Sequence, residues 1–87
     1  MKTITFDKTS AGWHKHVELN EHFLTLQKAY IIEKLSCRGY LYLNEVYESL
    51  GVEWDPHNEN AVWIDKEHEF EITHELTGDN TFTIKVE

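Results

Sequence analysis

Two stretches near the C-terminus constrain the fold more than anything else in the chain. Over residues 69–76, Phe70, Ile72 and Leu76 alternate with Glu69, Glu71, Thr73 and Glu75; over residues 81–87, Phe82, Ile84 and Val86 alternate with polar neighbours. Successive side chains of a strand point to opposite faces, so each stretch reads as a strand with one apolar face. Both apolar faces lie on the same side of a sheet only if Leu76 stands opposite Phe82 and Ile72 opposite Val86, because a one-residue slip turns a whole strand over. That parity demands a connection with an odd number of residues. A Gly78-Asp79-Asn80 loop supplies it, with Asn80 in the left-handed region. A two-residue Gly78-Asp79 turn would set Leu76 against Thr81 and is rejected.

The rest of the chain supplies partners for this hairpin. Residues 3–6 alternate Ile4 and Phe6 with threonine and suit a short strand. From 20 to 37 the period becomes helical: Leu19, Phe23, Leu26 and Tyr30 make one stripe, and Leu24, Ile31 and Leu35 an adjacent one. Asn20 is the expected N-cap, with Glu21 in the first turn, Lys34 and Arg38 near the far end, and Gly39 as the left-handed stop. Tyr40-Leu41-Tyr42-Leu43 alternates and forms a strand stub, with Tyr40 and Tyr42 on the side opposite Leu41 and Leu43. Asn44 then caps a second helix over 45–50 that Gly51 closes; Val46, Tyr47 and Leu50 face inward, and Glu45 and Glu48 outward. Asp55-Pro56-His57-Asn58 has strong turn chemistry, and Val62-Trp63-Ile64 opens the C-terminal sheet. No linker, repeat or low-complexity tract divides the 87 residues, so the chain is one domain. The fold class is α+β: one long and one short helix packed on a small antiparallel sheet that ends in a C-terminal hairpin.

Charge narrows the function. Eight basic against sixteen acidic residues give −8 with histidine neutral, and the excess is lopsided. Residues 1–43 carry four acids and six bases, whereas residues 44–87 carry twelve acids and only Lys66 and Lys85. A half-chain at −10 repels phosphate backbones, which argues against direct nucleic-acid binding and for a partner with a basic surface. The bland alternative is that the charge serves solubility alone. No apolar run is long enough for a membrane span, the first residues lack the apolar stretch of a signal peptide, and a lone Cys37 suits a reducing cytoplasm.

Chemistry-bearing constellations are scarce. Six histidines prompt a metal check, yet neither His14-Lys15-His16 nor the six-residue separation of His68 and His74 matches a zinc pattern. On a strand His68 and His74 would share the face of Phe70 and Ile72, with His74 at the edge of the core. Cys37 lies near a helix C-terminus, where the dipole disfavours a thiolate. Phosphate loops, serine elbows and dinucleotide fingerprints are lacking. The expectation is a protein that is not an enzyme and needs no cofactor or metal.

Two features suit binding. Glu69, Glu71 and Glu75 would line one sheet face at about 6–7 Å for alternate positions, on the order of the phosphate spacing along a nucleic-acid strand. Asp65, Glu67 and Asp79 would lie at the edges of that face. The plain alternative is a solvated face that also discourages edge-to-edge aggregation. Tyr40, Tyr42, Tyr47, Trp54 and Trp63 cluster around the small helix; most are needed for the core, and one tyrosine pair is left to face outward. Exposed tyrosines beside acids such as Glu48 make a protein-binding patch.

The segment Gly39-Tyr40-Leu41-Tyr42-Leu43-Asn44-Glu45-Val46-Tyr47-Glu48-Ser49-Leu50-Gly51-Val52, with Trp63 and the acidic hairpin after it, resembles an uncharacterised family of small domains encoded by bacteriophages, prophages and other mobile elements. The resemblance covers residues 39–87; the loop departs from it at Trp54 and Pro56, as do Ala61-Val62 before the tryptophan. It implies context and fold and carries no chemistry. The expected function is that of a small acidic cytoplasmic protein, monomer or homodimer, that binds a host protein through Glu69, Glu71, Glu75 and Asp79, with Tyr40, Tyr42 and Glu48 in support. Occlusion of a defence nuclease's basic groove, as anti-CRISPR proteins achieve, is the form this binding would take. A structural or accessory phage module without inhibitory role is the alternative.

Overall fold

In a computed structural model, which describes residues 2–53, 55–58 and 61–87, the chain forms an α+β domain. Strand β1 (Lys2–Phe6) leads through a loop to helix α1 (Val17–Arg38); then come β2 (Tyr40–Tyr42), α2 (Leu43–Ser49), a 3₁₀ turn (Pro56–Asn58), β3 (Val62–Ile64), β4 (Ile72–Gly78) and β5 (Thr81–Val86). Two antiparallel sheets result, one of three strands in the order β1-β5-β4 and one of two strands, β2-β3.

The hairpin register is the one parity demands: Ile72 opposite Val86 and Leu76 opposite Phe82. The expected three-residue loop is not the connection: Gly78 pairs with Thr81, so Asp79 and Asn80 alone turn the chain, Asn80 has φ 54°, and the odd residue is absorbed as an irregularity between Leu76 and Gly78. β1 pairs along the other side of β5, Ile4 against Ile84 and Phe6 against Phe82. The inner face of this sheet thus collects Ile4, Phe6, Ile72, Phe82, Ile84 and Val86, all buried.

Helix α1 covers that face with Leu24, Ile31 and Leu35. A three-stranded sheet offers contact for one helical stripe only. Phe23 stacks on Phe6 at 5.6 Å, whereas Leu19, Leu26 and Tyr30 stay about half exposed. The broad apolar face expected of α1 is therefore half used. α2 adds Leu43, Val46, Tyr47 and Leu50 to the core, joined by Leu41 from β2. No described helix is long and apolar enough to cross a membrane.

Neither asparagine expected to cap a helix does so. α1 starts three residues earlier than Asn20, behind an extended His16 that makes no side-chain cap. Asn20 lies fully buried in the first turn with its carboxamide spent on His14. α2 starts at Leu43, and Asn44 is buried with its side chain turned to Asp55. The stops are as expected: Gly39 (φ 89°) donates to the Leu35 carbonyl and Gly51 (φ 73°) to that of Glu48. β3 does not open the C-terminal sheet. It pairs with β2, Tyr40 opposite Ile64 and Tyr42 opposite Val62. Trp54 lies outside the described residues.

Candidate partner-binding surface

Alternation along β2 sends Leu41 into the core and leaves Tyr40 and Tyr42 exposed. Register with β3 places Ile64 and Val62 beside them, each about a third exposed, so four large side chains share the outer face of a two-stranded ribbon. The tyrosine rings meet edge to face at 5.8 Å. The Arg38 guanidinium lies 4.1 Å over the Tyr40 ring, and the Lys34 ammonium 5.9 Å from the Tyr30 ring.

Glu45 ties these pieces together. Its carboxylate accepts a hydrogen bond from Arg38, pairs with Lys34 at 3.4 Å and accepts the Tyr42 N–H at 2.9 Å, so it caps α2 while joining it to α1. Arg38's hydrogen bond is the main reason the Glu45 carboxyl falls to about 2; the Tyr42 amide and the charges of Arg38 and Lys34 add to it, against the opposing effect of partial burial. Glu45 is therefore not the solvated residue its outward position suggested.

The expected carboxylate row is not a row. β4 begins at Ile72, and pairing extends one residue further through the Glu71 and Glu87 backbone groups. Glu71, Thr73 and Glu75 follow the outward alternation, but Glu69 sits in the connection. Its neighbour Phe70 packs edge-on against Trp63, ring centres 5.1 Å apart. Lys85, opposite Thr73, stands among these acids, with its ammonium 3.9 Å from Glu75. Threonines fill the rest of that face: Thr3, Thr5 and Thr83. Asp79 is exposed at the hairpin turn and Glu48 on α2. Asp65 and Glu67 belong to the turn that leaves β3, on the other sheet. The structure thus brings Tyr40 and Tyr42 together, keeps Glu71 and Glu75 on one sheet face, and sets Glu69, Asp79 and Glu48 apart from them.

The histidines serve separate local roles. His14 and His16 stack at 5.2 Å, and His14 Nδ1 accepts the His16 N–H. His68 is not on the β4 face with His74; it folds back in the turn after β3, where its Nδ1 accepts the Ile64 N–H. His74 faces inward, 3.1 Å from Glu21, with its Nδ1 buried and unpartnered. Among the described residues no three His, Cys, Asp or Glu side chains gather as a metal site would need. Cys37 is exposed and unpaired among them.

Val62, Ile64, Arg38 and Glu45 escape a reading of the sequence. Each has a plausible local duty in the sequence, and only the pairing of β2 with β3 turns them toward one surface. Strands of three residues carry too little periodicity to announce their partner.

No curated protein and no solved structure matches the chain. A family model covers residues 1–87, including the first 38, for which the resemblance noted above had no counterpart. The chain belongs to a family of unknown function (DUF6353).

Proposed function

We propose that this is a non-enzymatic binding protein that docks on a basic surface of another protein. The observation that carries the reading is uncompensated charge. Residues 44–87 hold twelve acids and two bases, and among the described residues of that half only Glu45, Asp55 and Glu75 have an ion-pair partner. Glu48, Glu53, Glu67, Glu69, Glu71 and Asp79 are exposed and free to act at long range. Such a field speeds encounter with a basic partner and repels nucleic acid itself. The narrower form of the proposal is a phage or mobile-element protein in the bacterial cytoplasm that occludes a host nuclease's nucleic-acid groove. It is supported by the motif resemblance over residues 39–52.

The protein, immobilised without a charged tag, is the bait for a bacterial lysate at low salt, eluted with a salt gradient. Basic, nucleic-acid-binding proteins released between low and physiological ionic strength, and competed off by duplex DNA, are the expected result. Retention of only neutral or acidic proteins, indifferent to salt, overturns the proposal.

A further inference from the structure

We infer that the outer face of the β2–β3 ribbon, centred on Tyr40, Tyr42, Val62 and Ile64, is the seat for an arginine-bearing segment of the partner protein. The inference rests on the binding role proposed above and adds to it a location and a ligand chemistry.

The face is open while the strand edge beside it is closed at Ile64. All four side chains are more than a third exposed. At the outer edge of β3, however, the Ile64 N–H is donated to His68 Nδ1 at 3.0 Å, and the Ile64 carbonyl accepts the N–H groups of Glu67 and His68 at 3.1 and 3.0 Å. With both backbone groups of Ile64 occupied, strand addition is blocked at that residue, and the exposed side chains are the surface left for a partner there.

Charge selects what lands. The turn that leaves β3 directly after Ile64 carries Asp65 and Glu67 against Lys66, and none of the three has an ion-pair partner among the described residues. Further on, Phe70 packs on Trp63 at the inner face of the ribbon, away from the four exposed side chains. On the other flank Lys34 and Arg38 are both engaged by Glu45. An apolar centre with Asp65 and Glu67 at its β3 edge is complementary to a segment that is itself basic.

A second copy of this chain is a poor occupant. It carries the same −8 charge, and four half-covered side chains fall well short of the ~800 Å² per partner that a stable interface buries. Arginine is favoured over lysine because a planar guanidinium stacks on a phenol ring, as Arg38 already does on Tyr40. Tyr42 carries no cation over its ring among the described residues, so its ring is the place for the incoming one.

The test is an NMR titration of the ¹⁵N-labelled full chain with nona-arginine and, separately, nona-lysine. Shifts concentrated at residues 40–42 and 62–67, with nona-arginine bound about threefold or more tightly than nona-lysine, are expected. The double variant Tyr42→Ser/Val62→Ser, altered only at exposed positions, should bind nona-arginine about tenfold more weakly. Unchanged affinity of the variant overturns the seat. If the variant loses its dispersed spectrum, the wild-type shift map decides. Shifts confined to Glu71, Glu75 and Asp79, with residues 40–42 and 62–64 unmoved, overturn the seat and leave the acidic-surface proposal standing. No shift with either peptide overturns both.

Discussion

The carboxamide of Asn20 accepts the His14 N–H at 2.7 Å and donates to the His14 carbonyl at 2.7 Å, engaging both backbone groups of one residue as a neighbouring strand would. It also donates to Asn80 Oδ1 at 2.7 Å, and Asn80 in turn donates to the carbonyls of His14 and Lys15. One fully buried side chain thereby fastens the loop before α1 to the hairpin turn, His14 and Asn80 lying 66 residues apart. Asn44 repeats the device, accepting the Asp55 N–H and donating to the Asp55 carbonyl, both at 3.3 Å. Removing Asn20 leaves partners unpaired, which is costlier than losing the bonds themselves. Asn20→Ala is expected to lower unfolding free energy by ~2–3 kcal/mol, read from urea denaturation; a change within ~0.5 kcal/mol would show the network to be idle. His74 presents the opposite case. Its Nδ1 is buried without a partner, and its Nε2 meets a half-exposed Glu21. His74→Leu removes the unpaired atom while keeping an apolar body near Phe82, so the melting temperature should hold or rise. A fall of more than a few degrees would mean that the Glu21 contact matters.

At the scale of elements, Glu45 governs how α1, β2 and α2 meet. A carboxyl held at about 2 in the fold and near 4.5 when free stabilises the fold fully above the free value, and that contribution is lost as pH falls from about 4.5 through about 2. Asp7 and Asp55 are also lowered, by hydrogen bonds from Thr9 and His57, and act in the same direction. Thermal melts from pH 7 down to pH 2.5 should therefore show stability falling below about pH 4.5. Glu45→Gln should be less stable at pH 7 and show a shallower fall. A variant whose curve runs parallel to the wild type would remove Glu45 from its pivotal place. The hairpin elements are legible in the sequence because strand facing follows from a period of two and register from parity. The Asn80 turn and the Gly39 and Gly51 stops are legible for the same kind of reason, since few residues suit a positive φ. The helix starts are not, because asparagine satisfies a peptide from inside a helix as readily as it caps one. Sheet membership is illegible too: Val62-Trp63-Ile64 is as apolar as any strand, and nothing local says whether it joins β4 or β2. The candidate surface follows the same division, with the exposure of Tyr40 and Tyr42 readable from alternation and their union with Val62 and Ile64 dependent on a long-range pairing.

For the whole molecule the question is what the acidic half costs and what it gains. Twelve carboxylates against two bases in residues 44–87 repel one another, and the three-stranded sheet relieves this little, with Lys85 near Glu75 as its outward pair. Glu69, Glu71 and Glu75 are exposed, and no hydrogen bond from their side chains supports the fold among the described residues. Replacing all three by glutamine keeps shape and removes three charges, so the melting temperature should stay level or climb. If the charges serve only to keep the chain dispersed, the variant should bind a basic partner as the wild type does. If they steer, wild-type association should slow steeply as salt rises from low to physiological strength, and the triple variant should show a weaker salt slope and an affinity lower by more than ~1 kcal/mol. Tyr42→Ser separates the two contributions: it should speed dissociation and leave the salt slope intact, because a stacked ring acts at contact and a carboxylate field acts before it. Identical salt slopes for the wild type and the triple variant would return the acidic face to a solvating role and leave the β2–β3 ribbon as the whole of the binding surface.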